Sequence, residues 1–147
     1  CVAEYLAIKK SENYIKEIED NSILVTADTI VVVDGVILGK PKNEQEAKDF
    51  LRLLSYKSHK VITGCCLRNN KNISRHFSQE TIVKFKELTE EEIDYYVNKF
   101  KPFDKAGAYG IQEWIGTVGI ENIQGDYYNV VGFPCNQFFK LAKEIAE

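Results

Sequence analysis

The sequence lacks several features that mark particular classes of protein. No methionine occurs among its 147 residues, and there are only two histidines and one tryptophan. The 22 acidic residues outnumber the 19 basic ones, so the chain has no cationic surplus for binding DNA or RNA through the phosphates. Asp34 and Gly35 interrupt the apolar run at residues 30–38, and no stretch approaches the roughly 20 residues of a membrane-spanning helix. We therefore expect a soluble protein that binds neither a nucleic-acid polymer nor a membrane.

The four cysteines show neither a disulfide pattern nor a metal-binding pattern. Cys65 and Cys66 are adjacent in an apolar run, so on a strand they point to opposite faces and cannot bind one metal ion together. No C-x-x-C pair occurs, and neither His59 nor His76 lies at the spacing of a zinc site. We interpret the thiols as reduced core residues, which predicts a cytoplasmic protein.

Length and composition favour a single domain over residues 1–147. The chain is 44% hydrophobic and 28% charged, and its length is close to the commonest domain size. No repeat, low-complexity tract or linker divides it. Because there is no initiator methionine, we expect this sequence to begin inside a longer natural chain.

Helical and strand-like patterns alternate along the chain. A helix is predicted to end before Asn21, and the β-branched run at residues 22–33 predicts a central strand covered on both faces. Asp34-Gly35 is typical of a two-residue hairpin turn, followed by a return strand at residues 36–38. The later predicted elements are a helix capped by Asn43 with Glu46, strands at residues 59–67 and 81–85, a helix capped by Thr89 with Glu92 that stops before Pro102, and a final helix from Asn136. This order predicts an α/β or α+β fold in which helices flank a mixed sheet.

Asp28 is the most informative single residue. It interrupts a strand whose neighbours on both faces are apolar. An unpaired ionised carboxylate in that place would cost several kcal/mol, so a metal ion, a lysine or backbone N–H groups must compensate for its burial. The alternative interpretation is a carboxylate that only closes a turn or caps a loop.

The hairpin supplies Lys40 as a candidate partner for Asp28. Counting outward from the turn places Lys40 opposite Thr29 and beside Asp28. A strict ladder would put Lys40 and Asp28 on opposite faces, but Pro41 cannot donate to the ladder, so we expect regular pairing to end there. The two groups could form an ordinary salt bridge. They would also suit phosphate chemistry, with lysine as the counter-charge and aspartate as a metal ligand or water-activating base.

Residues 104–112, with the sequence DKAGAYGIQ, form a candidate ligand loop. Small residues alternate there with polar ones such as Lys105 and Gln112, and small side chains let backbone N–H groups approach a phosphate or a base. The Gly-x-x-Gly spacing is a weak signal by itself. The chain contains neither the P-loop nor the Rossmann glycine motif, which disfavours those nucleotide sites.

Taken together, these motifs resemble the Maf family of nucleoside triphosphate pyrophosphatases. The resemblance extends over nearly the whole chain, in the order and spacing of the family. The matching segments are Leu6-Ala7 with Lys10, Ala27-Asp28-Thr29, Gly39-Lys40-Pro41, Leu54-Ser55, and residues 59–64, 104–112 and 129–134.

The resemblance implies a two-lobed α/β fold of the Maf/ITPase type with a central cleft. It also implies hydrolysis between the α- and β-phosphates of a nucleoside triphosphate, which releases the monophosphate and pyrophosphate. Asp28 would be the catalytic residue and the ligand of a divalent cation, Mg²⁺ or Mn²⁺, and Lys40 would bind phosphate. Lys10 matches a further lysine of the cleft, and Lys105 belongs to the matching loop as a substrate-binding residue.

Thr29 and Gln112 match the subfamily that acts on dTTP and UTP. We therefore expect hydrolysis of these two nucleotides, with modified pyrimidine nucleotides as further candidates. A 7-methyl-GTP-type pyrophosphatase and a non-catalytic nucleotide-binding regulator of cell division stay open as alternatives. Family members begin with a strand and a Ser-x-Ser-Pro-Arg-Arg loop, which does not occur before Cys1, so we expect an N-terminally truncated Maf-like domain. The oligomeric state is left open, with a homodimer as one candidate.

Overall fold

The strands form where β-branched and apolar residues dominate the sequence. The computed structural model describes residues 1–146. The strands are β1 (Leu24–Val33), β2 (Val36–Leu38), β3 (Ser58–Arg68), β4 (Ser74–Phe85) and β5 (Ile120–Gln124), and they form one sheet in the order β2-β1-β3-β4-β5. Asp34 and Gly35 both have positive φ, 48° and 76°, as the predicted two-residue hairpin between β1 and β2 requires.

The α/β class is confirmed, but the sheet is not mixed. All four strand pairings among residues 1–146 are antiparallel. The helix α2 (Glu44–Leu54) connects β2 to β3, which run in the same direction, but β1 lies between them and pairs with both. Two parallel strands joined by a helix therefore never become neighbours. β5 was not predicted, because it is short and three of its five residues are polar.

The helices begin at the predicted capping residues. The Asn43 side chain accepts a hydrogen bond from the backbone N–H of Glu46 at the start of α2, and Thr89 forms a complete capping box with Glu92 at the start of α3 (Glu90–Phe100). The first helix, α1, ends at Glu12 and is followed by a 3-10 turn at Ile15–Glu17, earlier than expected. The helix α1 itself begins at Val2. The other helices are α4 (Trp114–Gly119), α5 (Tyr127–Val131) and α6 (Cys135–Ala146), and a further 3-10 turn lies at Ala106–Ala108. Within residues 1–146, every helix is too short or too polar to cross a bilayer.

Two apolar clusters cover one face of the sheet and leave a polar strip between them. The larger cluster packs residues such as Val31 and Val61 against α2 and α3, and the smaller one packs Cys65 against α6. Thr29 and Thr63 lie between the clusters on neighbouring strands, with their hydroxyl oxygens 2.9 Å apart. Thr29 of this strip, together with Val31 and Val61 of the larger cluster, lines the floor of a cavity.

The helix α1 covers the opposite face of the sheet. Its residues Ala3, Ala7 and Ser11 are fully buried, and the Thr26 hydroxyl donates a hydrogen bond to the carbonyl oxygen of Ala7 at 2.6 Å. A Cβ atom on Gly64 of β3 would overlap the α1 backbone at Ala3. The helix therefore rests directly on the strand, and this close contact fixes the position of its last turn.

Candidate active site

Asp28 faces α1 and forms an ion pair with Lys10 from the last turn of that helix. The Lys10 Nζ lies 2.9 Å from Asp28 Oδ1 and 3.3 Å from the carbonyl oxygen of Ala27. The Asp28 side chain is 27% exposed and that of Lys10 is 52% exposed, so the pair lies at the rim of the protein. Among residues 1–146, Asp28 Oδ2 accepts no hydrogen bond, and it is available to a ligand.

Within residues 1–146 the cation that pairs with Asp28 is Lys10, and no ion pair joins Lys40 to Asp28. The ladder between β1 and β2 ends where Val31 pairs with Leu38, so regular pairing does not reach Lys40. The sequence shows which lysines lie close to Asp28 along the chain. The lysine that contacts Asp28 in the fold comes instead from a helix that packs on one face of the sheet.

Lys40 lies instead beside the 104–112 loop. The carbonyl oxygen of Gly39 accepts a hydrogen bond from the N–H of Gly107 at 3.1 Å, which joins the two segments. The hydrogen bond from Lys105 is the main factor that lowers the pKa of the Asp104 carboxyl, and the positive charge of Lys40 is a smaller one. Lys40 is therefore an exposed cation at the edge of this loop.

A cavity of about 420 Å³ opens between the segment around residues 104–113 and residues 130–132. Its lining includes Thr29 of β1, Lys105, Gln112 and Glu113 of the loop region, and Val130 of α5. This volume is within the range of small-ligand pockets. The structure thus brings three of the predicted substrate-binding residues, Thr29, Lys105 and Gln112, to one cavity.

The strand β1 separates this cavity from the Asp28–Lys10 pair. Successive side chains of a strand point to opposite faces, so Asp28 faces α1 and Thr29 faces the cavity. β2 pairs only with residues 31–33, and among residues 1–146 no strand pairs with the same edge at residues 24–30. Asp28 and Thr29 are therefore adjacent residues that lie on opposite faces of the same strand.

Tyr96 of α3 holds the loop that carries the cavity residues. Its buried hydroxyl accepts a hydrogen bond from the N–H of Gly110 at 3.0 Å and donates one to Glu113 Oε1 at 2.7 Å. Burial, and then the bond to Glu113, raises the pKa of the Tyr96 phenol well above its usual value. The Lys105 Nζ lies 3.1 Å from Asp104 Oδ1 and 3.8 Å from Glu113 Oε1. Sequence reasoning missed this arrangement, because Tyr96 has the spacing of an ordinary core residue.

A second buried pair supports the loop from β3. His59 Nε2 and the Tyr109 hydroxyl are 2.6 Å apart, and both rings pack against Phe85. Burial lowers the pKa of His59 to about 4 and raises that of Tyr109, so both groups are neutral at neutral pH. Within the described part of the chain, His59 Nδ1 has no hydrogen-bond partner.

Asn129 holds the opposite wall of the cavity. Its fully buried amide shares two N–H groups among three acceptors, the carbonyl oxygens of Val61 and Gln79 and the hydroxyl of Thr81, at 3.0 to 3.1 Å. These bonds attach the start of the 129–132 segment to β3 and β4. Residues 130–132 consequently line the cavity.

Asp28 suits a divalent cation that also has donors from a ligand. Within residues 1–146, no group of three or more His, Cys, Asp or Glu side chains could hold a metal ion. Mg²⁺ is commonly bound by one or two carboxylates together with substrate phosphates. A single carboxylate with one free oxygen fits that kind of site and not one built from protein ligands alone.

This fold and site define an α/β protein with a ligand-sized cavity on one face of β1 and the Asp28–Lys10 ion pair on the other. The sequence profile of the family described as "Maf-like protein" matches residues 1–145. The chain belongs to this Maf family.

Several curated relatives match almost the whole chain. A protein of Christiangramia forsetii named dTTP/UTP pyrophosphatase is 48% identical over 144 residues, which cover 98% of this chain and 73% of the relative. Proteins of the same name from Porphyromonas gingivalis and Bacteroides thetaiotaomicron are 46% and 44% identical, and the matches cover 97% and 98% of this chain and 72% and 74% of the relatives.

Proposed function

We propose that this protein is a nucleoside triphosphate pyrophosphatase that hydrolyses dTTP and UTP to the monophosphate and pyrophosphate. The observation that carries the proposal is the pair of neighbours Asp28 and Thr29, of which Asp28 pairs with the Lys10 cation and Thr29 lines the cavity on the other face of β1. Membership of the Maf family and the name dTTP/UTP pyrophosphatase shared by relatives at 44% to 48% identity support the same reaction.

We assign the phosphate chemistry to the side of β1 that carries Asp28. In this assignment the Asp28 carboxylate accepts a proton from the water that attacks the α-phosphorus, and the bond from that phosphorus to the bridging oxygen breaks. Lys10 positions the carboxylate and binds a phosphate oxygen, and Lys40 binds phosphate from the edge of the 104–112 loop. A divalent cation bound by Asp28 and the phosphates, Mg²⁺ or Mn²⁺, would neutralise negative charge on the triphosphate.

We assign recognition of the nucleoside to the cavity side of β1. The polar groups there include the Thr29 hydroxyl, the Lys105 ammonium, the Gln112 amide and the carboxylates of Asp104 and Glu113. A primary amide offers a donor and an acceptor, so it can match the N3–H and carbonyl edge that thymine and uracil share. Cytosine presents an unprotonated N3 and an amino group at this edge, and it would leave polar groups unpaired.

The proposal is tested by pyrophosphate release from dTTP, UTP, CTP and 7-methyl-GTP, with the full-length protein in Mg²⁺ and in Mn²⁺. We expect dTTP and UTP to be hydrolysed well ahead of CTP and 7-methyl-GTP. A preference for 7-methyl-GTP would contradict the subfamily and leave the reaction type standing. Absence of turnover with every nucleotide would favour the non-catalytic regulator instead.

The proposal treats residues 1–147 as one Maf-like domain of a cytoplasmic enzyme. One sheet contributes to both apolar clusters, which supports a single folding unit. A homodimer is a candidate assembly, and the mass of the full-length protein in solution, measured by light scattering, tests it.

A further inference from the structure

We propose that Glu113 accepts a hydrogen bond from the N3–H of the pyrimidine base and so sets the preference for dTTP and UTP over CTP. This inference rests on the proposed function, because it concerns the base of the same nucleotide. It adds to the cavity a specificity residue that the family motif does not single out.

Glu113 is held in the cavity by a buried anchor. The Tyr96 hydroxyl donates to Oε1 at 2.7 Å, and the Lys105 ammonium lies 3.8 Å from the same oxygen. Among residues 1–146, Oε2 accepts no hydrogen bond. The side chain is only 24% exposed and lines the cavity. One oxygen thus fixes the carboxylate, while the other is free for a donor on a ligand.

A fixed carboxylate can discriminate between pyrimidines. An ionised carboxylate only accepts hydrogen bonds, so it matches the N3–H of thymine or uracil and opposes the lone pair on N3 of cytosine. Gln112, in contrast, is exposed, and its amide can turn to offer either its donor or its acceptor. Glu113 is the neighbouring group that cannot adapt to cytosine.

The composition of the cavity favours the base over the other parts of the nucleotide. Its charged residues are two carboxylates, Asp104 and Glu113, and one ammonium, Lys105, which disfavours a triphosphate in the same place. dTTP and UTP differ at the 2′ carbon of the sugar but share the imide edge of the base. A carboxylate that bound the 2′-hydroxyl would separate these two nucleotides, whereas one that binds N3–H serves both.

The test is the isosteric variant Glu113→Gln in the full-length protein, with Asp104→Asn as the matched control. Both changes remove one negative charge from the cavity lining, but the Asp104 carboxylate lacks the Tyr96 anchor. Because a glutamine can turn its amide towards N3 of cytosine, we expect the ratio of kcat/KM for UTP to that for CTP to fall about tenfold in Glu113→Gln. Asp104→Asn should keep the ratio, and thermal unfolding should show that both variants are folded.

Three results would overturn the inference. The first is an unchanged UTP-to-CTP ratio in Glu113→Gln, the second is an equal fall in Asp104→Asn, and the third is a change only in the ratio of UTP to dUTP, which would assign Glu113 to the sugar. Failure of the proposed function gives a different result, since the wild type would then release no pyrophosphate. In that event, the affinities for α,β-methylene analogues of UTP and CTP, measured by calorimetry for the same variants, supply the ratio.

Discussion

Asp28 is the residue on which the proposed hydrolysis depends. Among residues 1–146 one of its carboxylate oxygens accepts no hydrogen bond, and Lys10 holds the other. We predict that Asp28→Asn lowers the rate of pyrophosphate release by about 10²- to 10⁴-fold, because the amide keeps the volume but removes the base and metal ligand. Thermal unfolding should change little. A fully active, folded Asp28→Asn protein would contradict the assignment, and a loss of stability larger than the loss of turnover would favour a structural carboxylate.

The two lysines nearest the phosphate side should behave differently. Lys40 has no close partner on β1, so Lys40→Ala should raise KM and lower kcat for dTTP together, with little effect on stability. Lys10 also positions Asp28, so Lys10→Ala should lower kcat more strongly than Lys40→Ala does. Steady-state kinetics of both variants provide the measurement. Near-normal kcat and KM in Lys40→Ala would reduce Lys40 to a surface counter-charge of Asp104.

Gln112 contributes an adaptable amide to the same cavity. We predict that Gln112→Ala narrows the preference for dTTP and UTP over CTP, because a donor and an acceptor to the base edge are lost. The effect should be smaller than that of Glu113→Gln, since the Gln112 side chain is exposed. Competition assays with mixed UTP and CTP give the ratio directly, and an unaltered ratio would remove Gln112 from base recognition.

At the scale of elements, the contact between α1 and β3 sets the geometry of the Asp28–Lys10 pair. A Cβ on Gly64 would overlap the α1 backbone, so Gly64→Ala must displace the helix. We predict a loss of about 1–3 kcal/mol in the free energy of unfolding, together with reduced turnover as Lys10 moves away from Asp28. Gly39→Ala is the matched control, because a Cβ there meets nothing within 4 Å. Urea unfolding distinguishes the two variants, and equal stability of Gly64→Ala and wild type would contradict the packing.

Elements with local signals were predictable, whereas the contacts between them were not. The capping residues Asn43 and Thr89 marked the helix starts, and Asp34-Gly35 marked the hairpin. The site residues on β1 were recognisable because a charged residue in an apolar strand is unusual. The partner of Asp28 was not, since no local pattern shows that Lys10 of α1 crosses the sheet to reach it. The anchor of Glu113 was hidden for the same reason.

At the scale of the whole molecule, the burial of His59 makes stability depend on pH. Its pKa falls from the usual value near 6.5 to about 4 in the folded protein, because the ring is removed from water. Between these values the unfolded chain binds a proton at His59 that the folded protein does not. The contribution of His59 to the free energy of unfolding is therefore fully present above about pH 6.5 and decreases as the pH falls towards 4. The shift corresponds to about 3 kcal/mol.

Urea unfolding between about pH 7 and pH 4 measures this dependence. We predict that His59→Gln loses this component of the decrease, although it is less stable at neutral pH because the Tyr109 contact changes. The exposed His76 supplies the matched control, and His76→Gln should keep the component. Equal pH slopes in the wild type and His59→Gln would show that other groups account for the acid sensitivity.

Asp28 and Thr29 face opposite sides of the sheet, and this arrangement constrains the length of β1 as well as its composition. Because neighbouring side chains alternate between faces, inserting one residue before Asp28 would exchange its orientation with that of Thr29. The carboxylate would then point into the cavity beneath the 104–112 loop, and the inserted residue would take its place beside the Lys10 ammonium. The β3–β4 turn around residues 69–72 has no such requirement and can change length freely. In β1, therefore, a deletion or insertion is more damaging to the proposed chemistry than many substitutions. It moves the carboxylate from the face of the sheet that α1 covers to the face that carries the cavity.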